Sequence, residues 1–288
     1  MKKGYRTSRE MQRQRERNLK LFLLGLGGLA AVLLLVFLLA AGLKGLRRLP
    51  GLPGAPATET ASGETSSEAQ TEYVPPGGQA GLLIASVEPG TGVSMLWYLD
   101  VDLDERIVTV FSVDPASLCS VEGVQASLSG HYLAGGFSRL VNAVNIFSEK
   151  EVDRYIGVTE KNFLKAVKEL GPVDVYVETD VNYVSGDVSL QLKKGMRQLD
   201  FNSLGNYLKF GAAGRDALLA LQEDAMCSML TTYFQNDALV KKGEPLFTKL
   251  INLVESDISA YDYYDHLRAL EFLASGEVSF VTGKALRQ

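Results

Sequence analysis

The sequence predicts an α/β fold, a sheet sandwiched between helices, carried after one N-terminal transmembrane helix. Three observations predict it. Short apolar runs rich in β-branched residues alternate with segments apolar at every third or fourth position. A run of 23 residues, opening at Leu21 and closing at Leu43, contains no charged side chain. Between that run and the alternating part lies a stretch rich in Pro, Gly, Ser and Thr. With 46% hydrophobic residues in 288, there is enough apolar surface for a core.

The apolar run comes first. As a helix it would be about 34 Å long, enough to span a hydrocarbon core. A cleaved signal peptide would have an apolar region of only about 7–15 residues, ending in a small-residue site. This run is longer, and Lys44, Arg47 and Arg48 follow it directly. It reads as an uncleaved anchor. Residues 1–20 hold eight Lys/Arg against Glu10 and Glu16, and three positive charges follow the span. The positive-inside rule therefore expects a cytoplasmic tail and an extracytoplasmic body in a single-pass cell-membrane protein. From Leu49 onward, 18 Lys/Arg face 32 Asp/Glu, so the body carries a formal charge of −14. Such an acidic body gives no case for nucleic-acid binding. Residues 44–79 contain Pro50, Pro53, Pro56, Pro75 and Pro76 and no apolar periodicity. They are expected to form a linker that lifts residues 80–288, one extracytoplasmic domain, off the membrane.

Within that domain, 81–87, 93–101 and 106–112 read as strands, the last through Ile107, Val108, Val110 and Phe111. Leu140, Val141, Val144 and Phe147 predict a helix over 137–147. Phe163, Leu164, Val167 and Leu170 predict another over 160–170, which Gly171-Pro172 stops. A strand over 173–177 follows, then a long helix over 216–234, helices over 245–254 and 259–274, and a last strand over 277–281.

Familiar catalytic motifs are missing: there is no GxxxxGKS/T, no GxGxxG between strand and helix, no HExxH and no GxSxG. Two cysteines exclude a disulfide-dense scaffold and a four-thiolate zinc site. Cys119 and Cys227 form either a bridge, which an extracytoplasmic setting would permit, or a pair of buried free thiols, which is the stronger expectation; sequence does not give their separation. His131 and His266 have no neighbouring ligand in sequence, so no metal site is expected. Asp257, Asp262 and Asp265, with Tyr261, Tyr263 and Tyr264, form either a solvated helix face or a cation site.

The order of segments carries more. His131-Tyr-Leu-Ala-Gly-Gly136, Glu151-Val-Asp-Arg-Tyr-Ile-Gly-Val158, Asn162-Phe-Leu-Lys-Ala-Val-Lys-Glu-Leu-Gly171 and Val173-Asp-Val-Tyr-Val177 follow one another. Leu192-Lys-Lys-Gly195, Gln198-Leu199, Tyr207 and Glu255-Ser-Asp-Ile-Ser259 come after them. In spacing and order, residues 81–284 resemble the LytR-CpsA-Psr family of membrane-anchored cell-envelope proteins. The resemblance implies a mixed central sheet between helices. It also implies transfer of polyprenyl-pyrophosphate-linked glycopolymer to peptidoglycan, with arginines and a carboxylate-bound Mg2+ meeting the pyrophosphate charge and an apolar cavity taking the lipid tail.

The chain departs from that family where the chemistry sits. Val93 stands where the first aspartate is expected, and Pro115 and Ala116 replace an Arg-Asp pair. Of the arginine segment only Lys209, Arg215, Asp216 and Gln222 keep suitable chemistry; Asp114 is the one nearby carboxylate before Pro115. Lysine is a point charge and cannot reproduce bidentate phosphate recognition. Asp114, Lys209, Arg215, Asp216 and Gln222 are therefore the remnant catalytic candidates, and Phe163, Val167 and Leu170 the candidate lipid-contacting residues. The expected function is a degenerate member, a pseudoenzyme without resident metal, that binds a polyprenyl-linked glycopolymer precursor or a paralogue. The alternative is an active transferase that uses Mg2+.

Overall fold

Strand β1 (Gln79–Glu88) is buried along its whole length except at its two ends, as a central strand covered on both faces must be. The computed structural model that shows this describes residues 78–186, 188–210, 214–234, 238–259 and 278–283. The expected tail, span and nearly all of the linker lie outside the described residues. So do His266, the Tyr261–Asp265 part of the acidic patch, and all but the first residue of the helix expected over 259–274. Among the described residues no helix is long and apolar enough to cross a membrane.

Around β1 a six-stranded mixed sheet is laid out. β2 (Gly92–Asp102) runs antiparallel to it with a register shift at Ser86/Val87, and β3 (Ile107–Ser112) runs antiparallel to β2. β6 (Arg154–Val158) lies parallel to β1 on its other side and carries the short antiparallel β11 (Glu255–Ser256). β12 (Ser279–Thr282) adds parallel to β3, giving the order β11-β6-β1-β2-β3-β12. The expected last strand is thus present, with its start shifted from 277 to 279.

Period-two side chains divide the interior into two cores. Leu83, Ala85, Leu96 and Tyr98 face α1 (Leu128–Ser148), which contributes Phe137, Leu140 and Val144. Leu82, Ile84, Trp97 and Leu99 face the other way. There they meet α2 (Glu160–Leu170), α3 (Phe201–Leu208), α4 (Arg215–Phe234) and α5 (Ala238–Ile251). The expected helix over 137–147 is the second half of α1. Gly135 and Gly136 break the helix just before it, and Gly136 (φ 62°, ψ −154°) takes a conformation open essentially to glycine alone. Ser127 caps α1 by accepting from the Gly130 amide at 3.0 Å.

Phe137 explains a second glycine. Its ring stacks on Tyr155 at 4.4 Å, and a Cβ on Gly157 would stand 2.2 Å from it. Only a bare backbone admits the ring.

Three pairings were not foreseen. β4 (Leu118–Val121) and β5 (Val124–Ser127) form a hairpin whose turn, Glu122-Gly123, has positive φ at both residues. β8 (Val181–Ser185) pairs with β9 (Val188–Leu192), and β10 (Gly195–Leu199) pairs with β7 (Val173–Val177). The helix expected over 245–254 begins instead at Ala238 and ends at Ile251, with Pro245 inside it. Cys119 and Cys227 are both free; they lie against opposite faces of the sheet, which keeps them apart.

Candidate functional site

β1, β3, β6 and β12 all run in one direction, so their carboxyl ends share one edge of the sheet, the usual place for a ligand in an α/β domain. Asp114 sits there, two residues beyond β3. Its Oδ1 accepts from the Ala116 amide at 2.8 Å and from the Arg215 guanidinium, the first residue of α4. Burial would push its carboxyl up. The Arg215 and Ala116 hydrogen bonds and the Arg215 charge outweigh that and hold it below the usual aspartate value.

Two of the five remnant candidates are therefore paired with each other. Lys209, the C-cap of α3, closes on Glu160 instead, Nζ to Oε1 at 2.8 Å. The Glu160 amide in turn donates to Glu88 Oε1 at 2.7 Å, tying the start of α2 to the end of β1. Asp216 lies in the first turn of α4, where its charge suits the helix dipole.

Gln222 is buried, 4% exposed, and is a structural clamp. Its Oε1 accepts from Ser112 Oγ at 3.2 Å, its Nε2 donates to the Leu208 carbonyl at 3.0 Å, and its own carbonyl accepts from Trp97 Nε1 at 3.1 Å. Sequence reasoning missed its neighbour Glu223, equally buried, whose Oε1 accepts from the Ser112 amide at 2.9 Å. The signal was available: two adjacent polar residues inside a helix that is otherwise apolar on its inner side.

The donor set does not suit a magnesium ion. Mg2+ demands an octahedron of oxygens. At this edge Asp114 is already engaged by Arg215, while Val93 and Ala116 offer apolar side chains. Among the described residues no three His, Cys, Asp or Glu side chains converge. His131 is not a ligand candidate either. Arg139 Nε donates to its Nδ1 at 3.2 Å, which leaves Nε2–H to donate to the Cys119 carbonyl at 3.2 Å.

A cavity of about 1230 Å³ opens beside α4, between that helix, β7, β10, the α3 end and β12. α4 lines it through Ala217, Ala220, Leu221, Asp224 and Cys227. α2 does not contribute to its lining among the described residues. Phe163 (6% exposed) and Leu170 (9%) are absent from the lining and pack in the core, Phe163 edge-on to Phe201 at 6.1 Å. Val167 lies between them on α2, and its side chain is outside the described part. The reason is geometric: the apolar stripe of α2 is the only face it has to bury.

Nor is the cavity purely apolar. Glu178, Asp224 and the Tyr207 side chain face it together with Val175, Val177 and Phe210. Burial and the Glu178 charge raise the Asp224 carboxyl, and burial with Asp224 and Glu178 raises the Tyr207 phenol. The Cys227 thiol is pushed up to about 12 by burial and the nearby Asp224 and Glu223, which makes it a poor nucleophile.

Comparison with known proteins gives a family and a fold. The model of the LytR_cpsA_psr family matches residues 83–285. No curated protein matches. Among solved structures, a protein of Eubacterium siraeum described as a transcription regulator superposes with a TM-score of 0.64 at 14% identity, over 77% of this chain and 90% of that one. B. subtilis TagV gives 0.59 at 18% identity over 71% and 84%. TagT bound to LIIa-WTA gives 0.56 at 16% identity over 79% and 86%. At these identities the likeness shows the fold.

Proposed function

The chain belongs to the LytR-CpsA-Psr family, and from that premise we propose that it serves cell-envelope assembly as a membrane-tethered binding domain without phosphotransfer of its own. It is held in the membrane through residues 21–43 with its body outside, and it engages a polyprenyl-linked glycopolymer precursor or an active paralogue. One observation carries the reading. At the sheet edge where the family resemblance puts the phosphate-binding charges, Arg215 is bonded to Asp114 and Lys209 to Glu160. Phosphoryl transfer is almost entirely positioning and charge. A guanidinium already bonded to a carboxylate must give up that bond before it can clamp a pyrophosphate.

The full chain in detergent, given polyprenyl pyrophosphate and Mg2+, should release no phosphate above the no-enzyme control. Turnover that disappears in Asp114→Ala or Lys209→Ala would overturn the proposal. Lipid mass spectrometry on the chain purified from membranes separates the two occupants: a co-purifying polyprenyl phosphate marks the precursor, its absence the paralogue. Topology is tested apart from both, since protease added to intact protoplasts should remove the body and spare the tail.

An active transferase is the second reading. What favours it is that Asp114 and Arg215 remain together at the sheet edge, where a substrate could recruit both.

A further inference from the structure

Four aliphatic side chains gather at the sheet edge that carries Asp114 and Lys209, and the fold leaves them in water. Leu118, Val124, Leu133 and Val184 are each between 52% and 75% exposed. Leu118 opens the β4–β5 hairpin, which leaves the sheet through the turn closed by Asp114 and Ser117, and Val124 stands on its second strand. Leu133 lies on the first half of α1. Its Cγ is 3.3 Å from where a Cβ on Gly92 would stand, and Gly92 pairs with Glu88 at the carboxyl end of β1. Ser129, one turn earlier, holds that half-helix to the same corner by accepting from the Val93 amide at 2.9 Å. Val184 is on the β8–β9 hairpin, whose Tyr183 packs edge-on against Phe210, next to Lys209, at 5.0 Å. Aliphatic residues exposed singly are ordinary; several brought to one edge by three separate elements mark a surface that meets something.

The charges of this edge narrow the partner. Lys209 is spent on Glu160 and Arg215 on Asp114, and the Glu88 carboxylate takes the Glu160 amide. Cations paired in this way exert little pull on an array of anions. What the edge offers is aliphatic surface that gains by leaving water. The rest of the chain supplies the surface to receive it. Residues 21–43 are the membrane anchor proposed above, and 44–77 join it to Gly78. A linker of that length averages about 30 Å end to end and reaches on the order of 100 Å when extended. Gly78 precedes β1, so it lies at the opposite end of the sheet, about 33 Å away for a strand of ten residues. The tether is therefore long enough to round the domain and let this edge meet the bilayer. A surface held so close needs only a weak contact of its own to stay there.

We propose that this edge docks on the lipid–water interface of the membrane that anchors the chain, with Leu118 and Val124 of one hairpin, Leu133 and Val184 entering the boundary between headgroups and acyl chains. The docking rests on the membrane anchorage given above; it requires neither polyprenyl binding nor the loss of phosphotransfer.

The chain's one tryptophan, Trp97, is 1% exposed, so a second tryptophan placed at the edge reports lipid contact above a constant background. The full chain is reconstituted into phosphatidylcholine vesicles with or without bromine on the acyl carbons nearest the headgroup. Emission from Leu133→Trp and from Val184→Trp should be quenched at least about twofold, as for side chains held at that depth. Ile146→Trp should not be quenched, since Ile146 is equally exposed but lies near the opposite end of the sheet, where Lys150 pairs with Asp100. Adding Leu118→Asp to the Leu133→Trp chain should at least halve the quenching, roughly, because a carboxylate resists entry into the bilayer. Thermal unfolding should stay unchanged, because Leu118 is exposed. Edge tryptophans quenched no more than Ile146→Trp overturn the proposal, as does quenching that Leu118→Asp leaves unaltered. A blue shift without bromolipid quenching assigns the edge to a protein contact and overturns it too. Alkaline carbonate tests the anchorage apart. A chain stripped from the vesicles removes the anchor and this docking with it, whereas a chain that stays while its edge tryptophans go unquenched removes the docking alone.

Discussion

Two stretches of the same helix behave in opposite ways. At the N-terminus of α4, Arg215 and Asp114 neutralise each other, and about two turns deeper Gln222 and Glu223 are bonded to Ser112, Leu208 and Trp97. Around Asp224, on the side that faces the cavity, Asp224 and Glu178 are exposed to solvent and pair with no cation among the described residues. A polar group satisfied internally stabilises the fold and has little left to offer a ligand. An exposed carboxylate is answered by water and adds little to stability in either direction. The inner side of α4 is spent on holding the helix to the sheet, and its cavity side is left to solvent.

The sharpest way to break this contrast is at Glu223. Glu223→Ala strands the buried Ser112 amide and should cost about 2–3 kcal/mol in urea unfolding. A cost below about 0.5 kcal/mol would mean that the inner seam is not what holds α4 to β3. On the opposite face, Gly157→Ala forces a methyl into the Phe137 ring and should cost about 1–3 kcal/mol by the same measurement. An unchanged midpoint there would show that the ring has room to move.

Smaller effects test the charges. The folded Asp114 carboxyl titrates below its unfolded value. Its contribution is therefore present above the ordinary aspartate range and is lost as pH falls through the folded value. Asp114→Asn should lower Tm slightly at pH 7, for a partly exposed pair worth about 0.2–1 kcal/mol, and should flatten the acid limb of the Tm–pH curve. An acid limb as steep as that of the parent chain would count against the pair. Asp224→Asn should move stability the other way or not at all, because it removes a carboxylate that burial and Glu178 disfavour in its charged form. A clear loss of Tm in that variant would reveal a structural role and erase the contrast.

Where the elements lie was legible in the residues themselves. β1, β2, β3 and α2 coincide with apolar runs and stripes, since a buried strand and a one-sided helix can each be recognised from spacing alone. The β4–β5 hairpin escaped because its strands are four residues each and mostly exposed, too short for a pattern, and its Glu122-Gly123 turn is a weaker signal than Asn-Gly. The start of α5 escaped because Pro245 reads as a helix start and is in fact internal.

Site residues divide along the same line. The residue types at Val93, Pro115 and Ala116 are what the proposal of a phosphate site with reduced charge rests on, since chemistry absent from the sequence cannot be supplied by folding. Which survivors meet was decided only by tertiary structure. Asp114 and Arg215 are 101 residues apart in the chain and bonded in space, whereas Lys209 was drawn to Glu160, 49 residues before it. Phe163 and Leu170 carried an apolar stripe that fits a core as well as a cavity, and packing chose the core. Periodicity reports which side of an element is apolar; what stands opposite that side depends on the path of the rest of the chain, and that path put Asp224, Glu178 and Tyr207 around one space.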